Sequence, residues 1–235
     1  LPMSANGGPN VTAALRSRIS TRAFLREKEV SQEVLEDILA IASRSPSGGN
    51  TQPWHLYALA GEPRDQLCKA GLAAVRKHHE PEYSVYASKE TAPQEHLPRR
   101  QKIAYDMYAL MGVERKDGPA RMRALARNFE FFDAPVAIIV TVDRACDRNA
   151  WGHVGMLMQS ICLLAEERGL ATCLLEAWGN LGRTVYEALG IPDTEIVWCG
   201  LAVGYADPDA PVNRLCTERV PVSDFAHIRG FSSKL

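Results

Sequence analysis

The stretch NAWGHVGMLMQSICLLAEERGLA, from Asn149 to Ala171, constrains this chain more than any other. It reads as one long helix closed by Gly169, with apolar side chains on nearly every face. A helix of that kind must be covered on all sides, so it belongs at the centre of a domain. One economical cover is a second copy of the chain, with this helix at the interface of a homodimer. The flanking runs APVAIIVTVD and EIVWCGLAVGYAD read as buried strands, which makes the domain α/β or α+β.

The remaining elements follow from period and punctuation. SQEVLEDILAIASRSP spaces Val34, Leu35, Ile38, Leu39 and Ala42 as a helix, with Ser31 as N-cap and Pro46 beyond its end. WHLYALAG predicts a strand stopping at glycine, and PRDQLCKAGLAAVRKHH a second helix. From Glu80 to about Leu97, Pro81, Pro93 and the adjoining Pro98, with few large apolar residues, predict a loop or lid. RRQKIAYDMYALMGVERKDGPARMRALARNFEFF predicts two helices broken at Asp117-Gly118-Pro119. TCLLEAW reads as a short strand and GNLGRTVYEALGIP as a helix. The tail from Pro208 to Leu235 has no period and must be tied down by something else, such as a partner subunit.

With 235 residues, 46% of them hydrophobic, the chain can bury a full core, and its net charge of −1 argues against general nucleic-acid binding. Arg76 to Glu130 carries eleven Lys/Arg against eight Asp/Glu, a mild bias that solvated helical faces explain. The six cysteines form no C-x-x-C pair, and Cys162, Cys173 and Cys199 sit in apolar runs, the pattern of reduced thiols in a cytoplasmic protein. No run is long enough to span a membrane, and LPMSANGGPN has neither the basic start nor the apolar stretch of a signal peptide. P-loop, dinucleotide-fingerprint and hydrolase-elbow signatures are absent, and the histidines have no zinc spacing. The one cluster, His78-His79-Glu80, fits a solvated helix end better than a metal site.

Two short stretches carry the chemistry. In RSRISTRAFL, Arg18, Ser20 and Arg22 alternate, so an extended backbone sets them on one side about 7 Å apart. Guanidinium forks beside a hydroxyl suit a phosphate monoester; a surface turn with the arginines paired to Glu27 or Glu33 suits the same residues equally well. In SPSGGNTQPW, Gly48 and Gly49 let backbone N–H groups approach a flat or anionic ligand, although a helix end followed by a loop gives the same composition.

Taken in order, RISTRAF, SPSGGNTQPWHLYAL, GLATCLLEAW, GLAVGYAD and TERVPVSDF resemble the FMN-dependent nitroreductase family. RRQKIAYDMYALMGVER and RNFEFFDAP are most similar to its nitrobenzoate-reductase-type branch. The motifs run through nearly the whole chain, with Glu62 to Phe132 least constrained. The resemblance implies an α+β, nitroreductase-like three-layer sandwich: a central mixed, mainly antiparallel sheet flanked by helices, in an interlocked homodimer. Residues 1–235 would form one FMN-binding domain, with 80–130 a variable lid or helical excursion, and each of two FMN sites would be built from both subunits.

The resemblance also implies roles. Arg18 and Ser20, with Ile19 between them, would hold the FMN phosphate together with Arg219. Relatives often carry a lysine two positions before that last arginine; here it is Thr217, and Arg16 or Arg214 would compensate. Arg22 would lie at the flavin pyrimidine edge, where a guanidinium stabilises the negative charge left by two-electron reduction. Pro46, Ser47 and Gly48 would approach the ring from the other subunit, with Asn50 and Gln52 shaping the loop. Glu176 and Ala177 would lie beside the flavin with a backbone N–H reaching N5, although Leu174 and Ala177 stand where relatives often have proline and glycine. Gln101 would add a polar contact to the ring. NADPH or NADH would supply hydride and a nitroaromatic would accept two electrons on the same face, a ping-pong cycle yielding hydroxylamines or amines. No catalytic side chain, metal, membrane or nucleic acid is needed. Tyr83, Tyr86, Tyr105, Met107 and Tyr108 are candidates for a substrate lid, although helix packing accounts for Tyr105, Met107 and Tyr108 as well. Other chemistries of the same FMN site (dehalogenation, flavin processing, enone reduction) and a non-catalytic flavin-binding protein are the alternatives.

Overall fold

Val136–Asp143 (β2) sends alternate side chains into two separate cores: Ala137 and Ile139 into one, Val136, Ile138, Val140 and Val142 into the other. A strand buried on both faces must lie inside its sheet. The computed structural model, which describes residues 10–77, 81–85, 88 and 90–231, places it there. The other strands are Trp54–Ala60 (β1), Ala171–Leu175 (β3) and Glu195–Gly204 (β4), in the order β1-β2-β4-β3 with every pairing antiparallel. Val140 pairs with Cys199 but Thr141 with Val197, so Trp198 is an extra residue, a bulge. The bulge turns Val197 into the first core while Cys199, Leu201 and Val203 stay in the second.

Helices complete three layers. Gly61–Val75 (α3) and Gly182–Leu189 (α7), with the 3-10 segments Arg127–Asp133 and Glu176–Leu181, cover the first face. Gln32–Ala42 (α2) and Arg148–Glu167 (α6) cover the second, and Val11–Ser17 (α1) lies against α6. His96–Leu110 (α4) and Gly118–Ala126 (α5) form an excursion between α3 and β2. The caps follow local chemistry: Ser31 Oγ accepts from Val34 N–H, Asp117 Oδ1 accepts from Ala120 N–H, and Gly169 leaves α6 at φ +71°.

Three departures from the sequence expectation have physical causes. α1 carries no long apolar period; Asn10 caps it and Ser17 Oγ bonds Glu166 Oε1 at 2.6 Å. The run NFEFF leaves the helix because Phe131 and Phe132 adopt φ +52°, which swings both rings into the core. Buried Arg64 holds that turn by donating to the carbonyls of Glu130 and Ala134. The strand expected over TCLLEAW stops at Leu175, and Trp178 drops into the core from the 3-10 turn that follows. Its ring stacks on Phe131, with centroids 5.0 Å apart, and is wedged between Gly71 and Gly200. A Cβ on Gly200 would lie 2.5 Å from Trp178 Cδ1, and one on Gly71 2.7 Å from Cη2.

The chain covers α6 on one face, along Ala150, Val154, Leu157, Met158, Ile161, Cys162 and Ala165. Met156, on the opposite side, is 47% exposed.

Candidate functional site

The arginine segment begins where α1 ends. Arg18 takes φ −56°, ψ 124°, and the chain then runs extended beside β3 and the end of β4. Thr21 N–H donates to Thr172 O at 3.0 Å, Phe24 N–H to Phe132 O at 3.1 Å and Leu25 N–H to Tyr205 O at 2.9 Å. Thr21 is buried, and Arg18, Ile19, Ser20, Arg22 and Ala23 around it are half-buried. Neither Arg18 nor Arg22 pairs with a carboxylate among the described residues, which removes the ion-pair alternative with Glu27 or Glu33. Arg22 Nη1 donates to Ser20 O at 3.0 Å. Burial pushes the Cys173 thiol up to about 11 while the positive fields of Arg22 and Arg18 pull it down, so both guanidiniums act on the same part of β3. Glu176, exposed, and Ala177, half-buried, continue from the end of that strand, and Trp178 anchors them from below.

The second stretch forms a tight, exposed loop. Gly49, Asn50 and Gln52 have φ of +60°, +56° and +49°, and Ser47 Oγ accepts from Gln52 N–H at 3.0 Å. Gln52 Nε2 donates to Asn50 O at 3.1 Å. Pro46, Gly48 and Asn50 face solvent. Gly48 N–H donates to His153 Nε2 at 3.2 Å, and Ser45 and Ser160 share a hydroxyl bond of 2.8 Å, so the loop is stitched along α6. A Cβ on Gly48 would meet His153 Cε1 at 3.2 Å.

The second stretch meets α6 from Ser160, at Ser45, to His153, at Gly48, so its Gly48 tip is the part farthest from the arginine segment. Gly48 touches α6 at His153, and the end of α1 touches it at Glu166. Thirteen residues of helix separate the contacts, about 20 Å along the axis. Arg219 is exposed and turned onto its own turn, Nη1 donating to Thr217 O, Thr217 Oγ1 and Glu218 O. It lines a cavity of about 390 Å³ with Arg99, Lys102 and Asp106 of α4, whereas Arg22 lines a different one with Met111, Arg123 and Val212. Gln101 is exposed on α4 and donates to Tyr105 Oη at 3.0 Å.

The lid candidates separate. Tyr83 Oη bonds the carbonyls of Val197 and Trp198 at the β4 bulge, and its ring meets Trp151 edge-on at 5.2 Å. Tyr108 is buried, Tyr105 lies under the Arg115 guanidinium, and Met107 is half-buried on α4. Tyr86 and the His78-His79-Glu80 cluster lie outside the described residues.

Two residues that pattern reading missed hold the stretches in place. His153 Nε2 accepts from Gly48 N–H, and its Nδ1 is buried without a partner among the described residues. Asn213 Oδ1 accepts from Arg22 N–H at 2.9 Å, and its Nδ2 donates to Ala23 O at 2.8 Å and Asp207 O at 2.9 Å. Neither has a sequence signature beyond the tail's evident need for a tether.

Comparison with known proteins matches residues 15–205 to the model of the nitroreductase family. The chain is 33% identical to the 4-nitrobenzoate reductase of Pseudomonas putida, over 93% of this chain and 95% of that protein. It is 34% identical to the chloronitrobenzene nitroreductase of Comamonas testosteroni, over 92% and 96%. Among solved structures, the FMN- and NADPH-dependent nitroreductase NfnB from Sphigopyxis sp. strain HMH superposes with a TM-score of 0.90 at 36% identity, covering 95% of this chain and all of that one.

Proposed function

The chain belongs to the nitroreductase family, and from that premise we propose how its own residues serve an NAD(P)H-dependent, FMN-using reduction of nitroaromatic compounds. The observation that carries the reading is the pair of guanidiniums, Arg18 and Arg22, set without carboxylate partners among the described residues on one extended segment beside β3. Unpaired, half-buried cations there fit a cofactor with a phosphate at one end and an anionic reduced ring at the other. FMN, when bound, supplies the two-electron chemistry between nicotinamide and nitro group.

Arg18 and Ser20 bind the phosphate, joined by Arg219 once its turn closes from α4. Arg22 sets a positive field at the pyrimidine edge and favours the reduced anion. The backbone after β3, at Glu176 and Ala177, would lie beside the flavin, and Gln101 would add a polar contact. Pro46, Ser47, Gly48 and Asn50 serve the site of a second copy. A two-fold axis crossing α6 antiparallel on its mate sets the Gly48 end of one helix against the Arg18 end of the other. The exposed Met156 supports this homodimer, as do Val11 and Leu15 on α1 and Phe225, Ile228 and Phe231 in the tail, all left open by one chain. Donor and nitroaromatic then use one open face in turn, and the 80–130 excursion lids it. All six cysteines are unpaired, which suits a reducing, cytoplasmic setting. No described helix is long and apolar enough to cross a membrane.

The test is direct. The purified protein is yellow, its visible flavin band bleaches with NADPH or NADH under anaerobic conditions, and 4-nitrobenzoate or nitrobenzene restores it with hydroxylamine or amine as product. A colourless preparation that stays empty in excess FMN refutes the reading; bleaching without nitro turnover reassigns the substrate.

A further inference from the structure

The tail beyond β4 carries no hydrophobic period, yet its residues 207–215 stay tightly placed against the arginine segment. The side chain responsible is Asn213. Its single carbonyl oxygen takes the Arg22 N–H, and both protons of its amide nitrogen are used, one on Ala23 O and one on Asp207 O. The orientation is unambiguous, because Arg22 N is a donor and the other two partners are acceptors. Asp207 N–H in turn donates to Ala23 O at 3.0 Å, and Phe24 bridges Ala206, so the amide closes a ring of backbone bonds around Arg22 and Ala23. Val212 and Leu215, buried on either side, fix the Asn213 backbone.

Every hydrogen bond of that amide goes to main chain. Asn213 therefore specifies where the Arg22 Cα stands and makes no bond to the guanidinium, whose Nη1 donates to Ser20 O. Six residues later the same tail carries Arg219, so one amide couples the two arginine-bearing segments, which are otherwise far apart in sequence. No residue type other than asparagine both accepts from one backbone N–H and donates to two carbonyls at this reach; aspartate would face both carbonyls with an oxygen.

We propose that Asn213 is a positioning residue of the flavin site, holding the Arg22 backbone against the Arg219-bearing tail so that the Arg22 charge is fixed at the cofactor. The inference rests on the assignment of Arg22 to the flavin edge. It assigns Asn213 no contact with cofactor or substrate, and its effect on the flavin runs through Arg22.

The experiment compares Asn213→Ala, Arg22→Ala and the double variant, each saturated with FMN, by spectroelectrochemical measurement of the flavin midpoint potential and by FMN titration. The expected result is a potential lowered in Arg22→Ala, lowered in the same direction in Asn213→Ala, and no lower in the double variant than in Arg22→Ala. FMN affinity falls by about tenfold in Asn213→Ala, the effect of one lost charge-assisted contact. A tether with a purely structural role lowers the melting temperature and leaves the potential of the saturated protein at the wild-type value; that outcome overturns the inference. A wild-type potential in Arg22→Ala overturns the assignment of Arg22, and this inference with it. Should Asn213→Ala fail to fold, Asn213→Ser, whose shorter hydroxyl cannot reproduce the three bonds of the amide, is read on the same criterion.

Discussion

If each flavin site takes Arg18 from one chain and the Gly48 loop from another, two defective proteins should repair each other. The perturbations are Arg18→Ala, which removes the phosphate fork, and Gly48→Val, whose Cβ has 3.2 Å to His153 Cε1 and whose branch has less. Each homodimer then carries one defect in both sites, and neither holds FMN. In a mixed dimer the arrangement is unequal: one site collects both defects and the other collects none. The premise is the separation of about 20 Å along α6, within one chain, between the Gly48 contact at His153 and the Ser17 contact at Glu166. The assay is co-expression with two different affinity tags, sequential purification, and flavin released per protein. Mixed dimers should bind about one FMN per pair of chains, half the wild-type content, and show about half its NAD(P)H-dependent activity. Mixed dimers as empty as their parents refute the reasoning, because a site built within one chain would carry one defect at each copy.

Four further outcomes are expected. Arg18→Ala and Arg219→Ala each lose FMN on gel filtration; full occupancy in both refutes the phosphate assignment. Gly200→Ala places a methyl 2.5 Å from Trp178 Cδ1, inside a core with no spare volume, and should lower unfolding free energy by about 1–3 kcal/mol in urea, with an unchanged midpoint as the contrary result. Hydrogen bonds from Arg64 and then Arg26 hold the Asp65 carboxyl below the usual carboxylate range, so its stabilisation is present above about pH 4 and lost as pH falls through the folded value. Asp65→Asn should therefore flatten the acid limb of a stability profile, and an unaltered limb would count against the pair. Cys216 is exposed while Cys68, Cys162, Cys173 and Cys199 are buried with thiols pushed up by burial, so Cys216→Ser should remove the fast phase of labelling by a thiol reagent in the native protein.

What could be read in advance is what neighbouring residues decide among themselves. α2 announced itself because Ser31 and the 3.6-residue spacing lie within eleven positions, and β2 and β4 because both faces of each are buried. Arg18, Ser20 and Arg22 were legible for the same reason: an extended backbone fixes which side chains share a face. The turn at Phe131–Phe132 was hidden because its cause, Arg64, sits some seventy residues upstream and reaches it through carbonyls any residue would offer. The Trp198 bulge was invisible in a uniformly apolar run, although it decides which core Val197 enters. The site resisted reading where tertiary contacts alone assemble it: Asn213 and His153 are each one polar residue without a pattern, and Arg219 sits by α4 when one chain is taken by itself.

On the proposed dimer, the open side of α6 and a flavin site shared between two copies would be one fact seen twice. Association must overcome a loss of translational and rotational freedom of about 4–15 kcal/mol. Each large apolar side chain withdrawn from water contributes about 1.5–3 kcal/mol against it. Met156, Val11, Leu15, Ile41, Phe225, Ile228 and Phe231 are all substantially exposed in one chain, and covering most of them contributes on that scale. In the proposed dimer the same docking would carry the Gly48 loop to a second copy's arginine segment, coupling burial of apolar surface to completion of the cofactor site. FMN content should consequently track the fraction of dimer: substituting Met156 by a charged residue should yield monomer and pale protein together. A monomer that retains full FMN at wild-type affinity would show that the two stretches meet within one chain, and the coupling would fall.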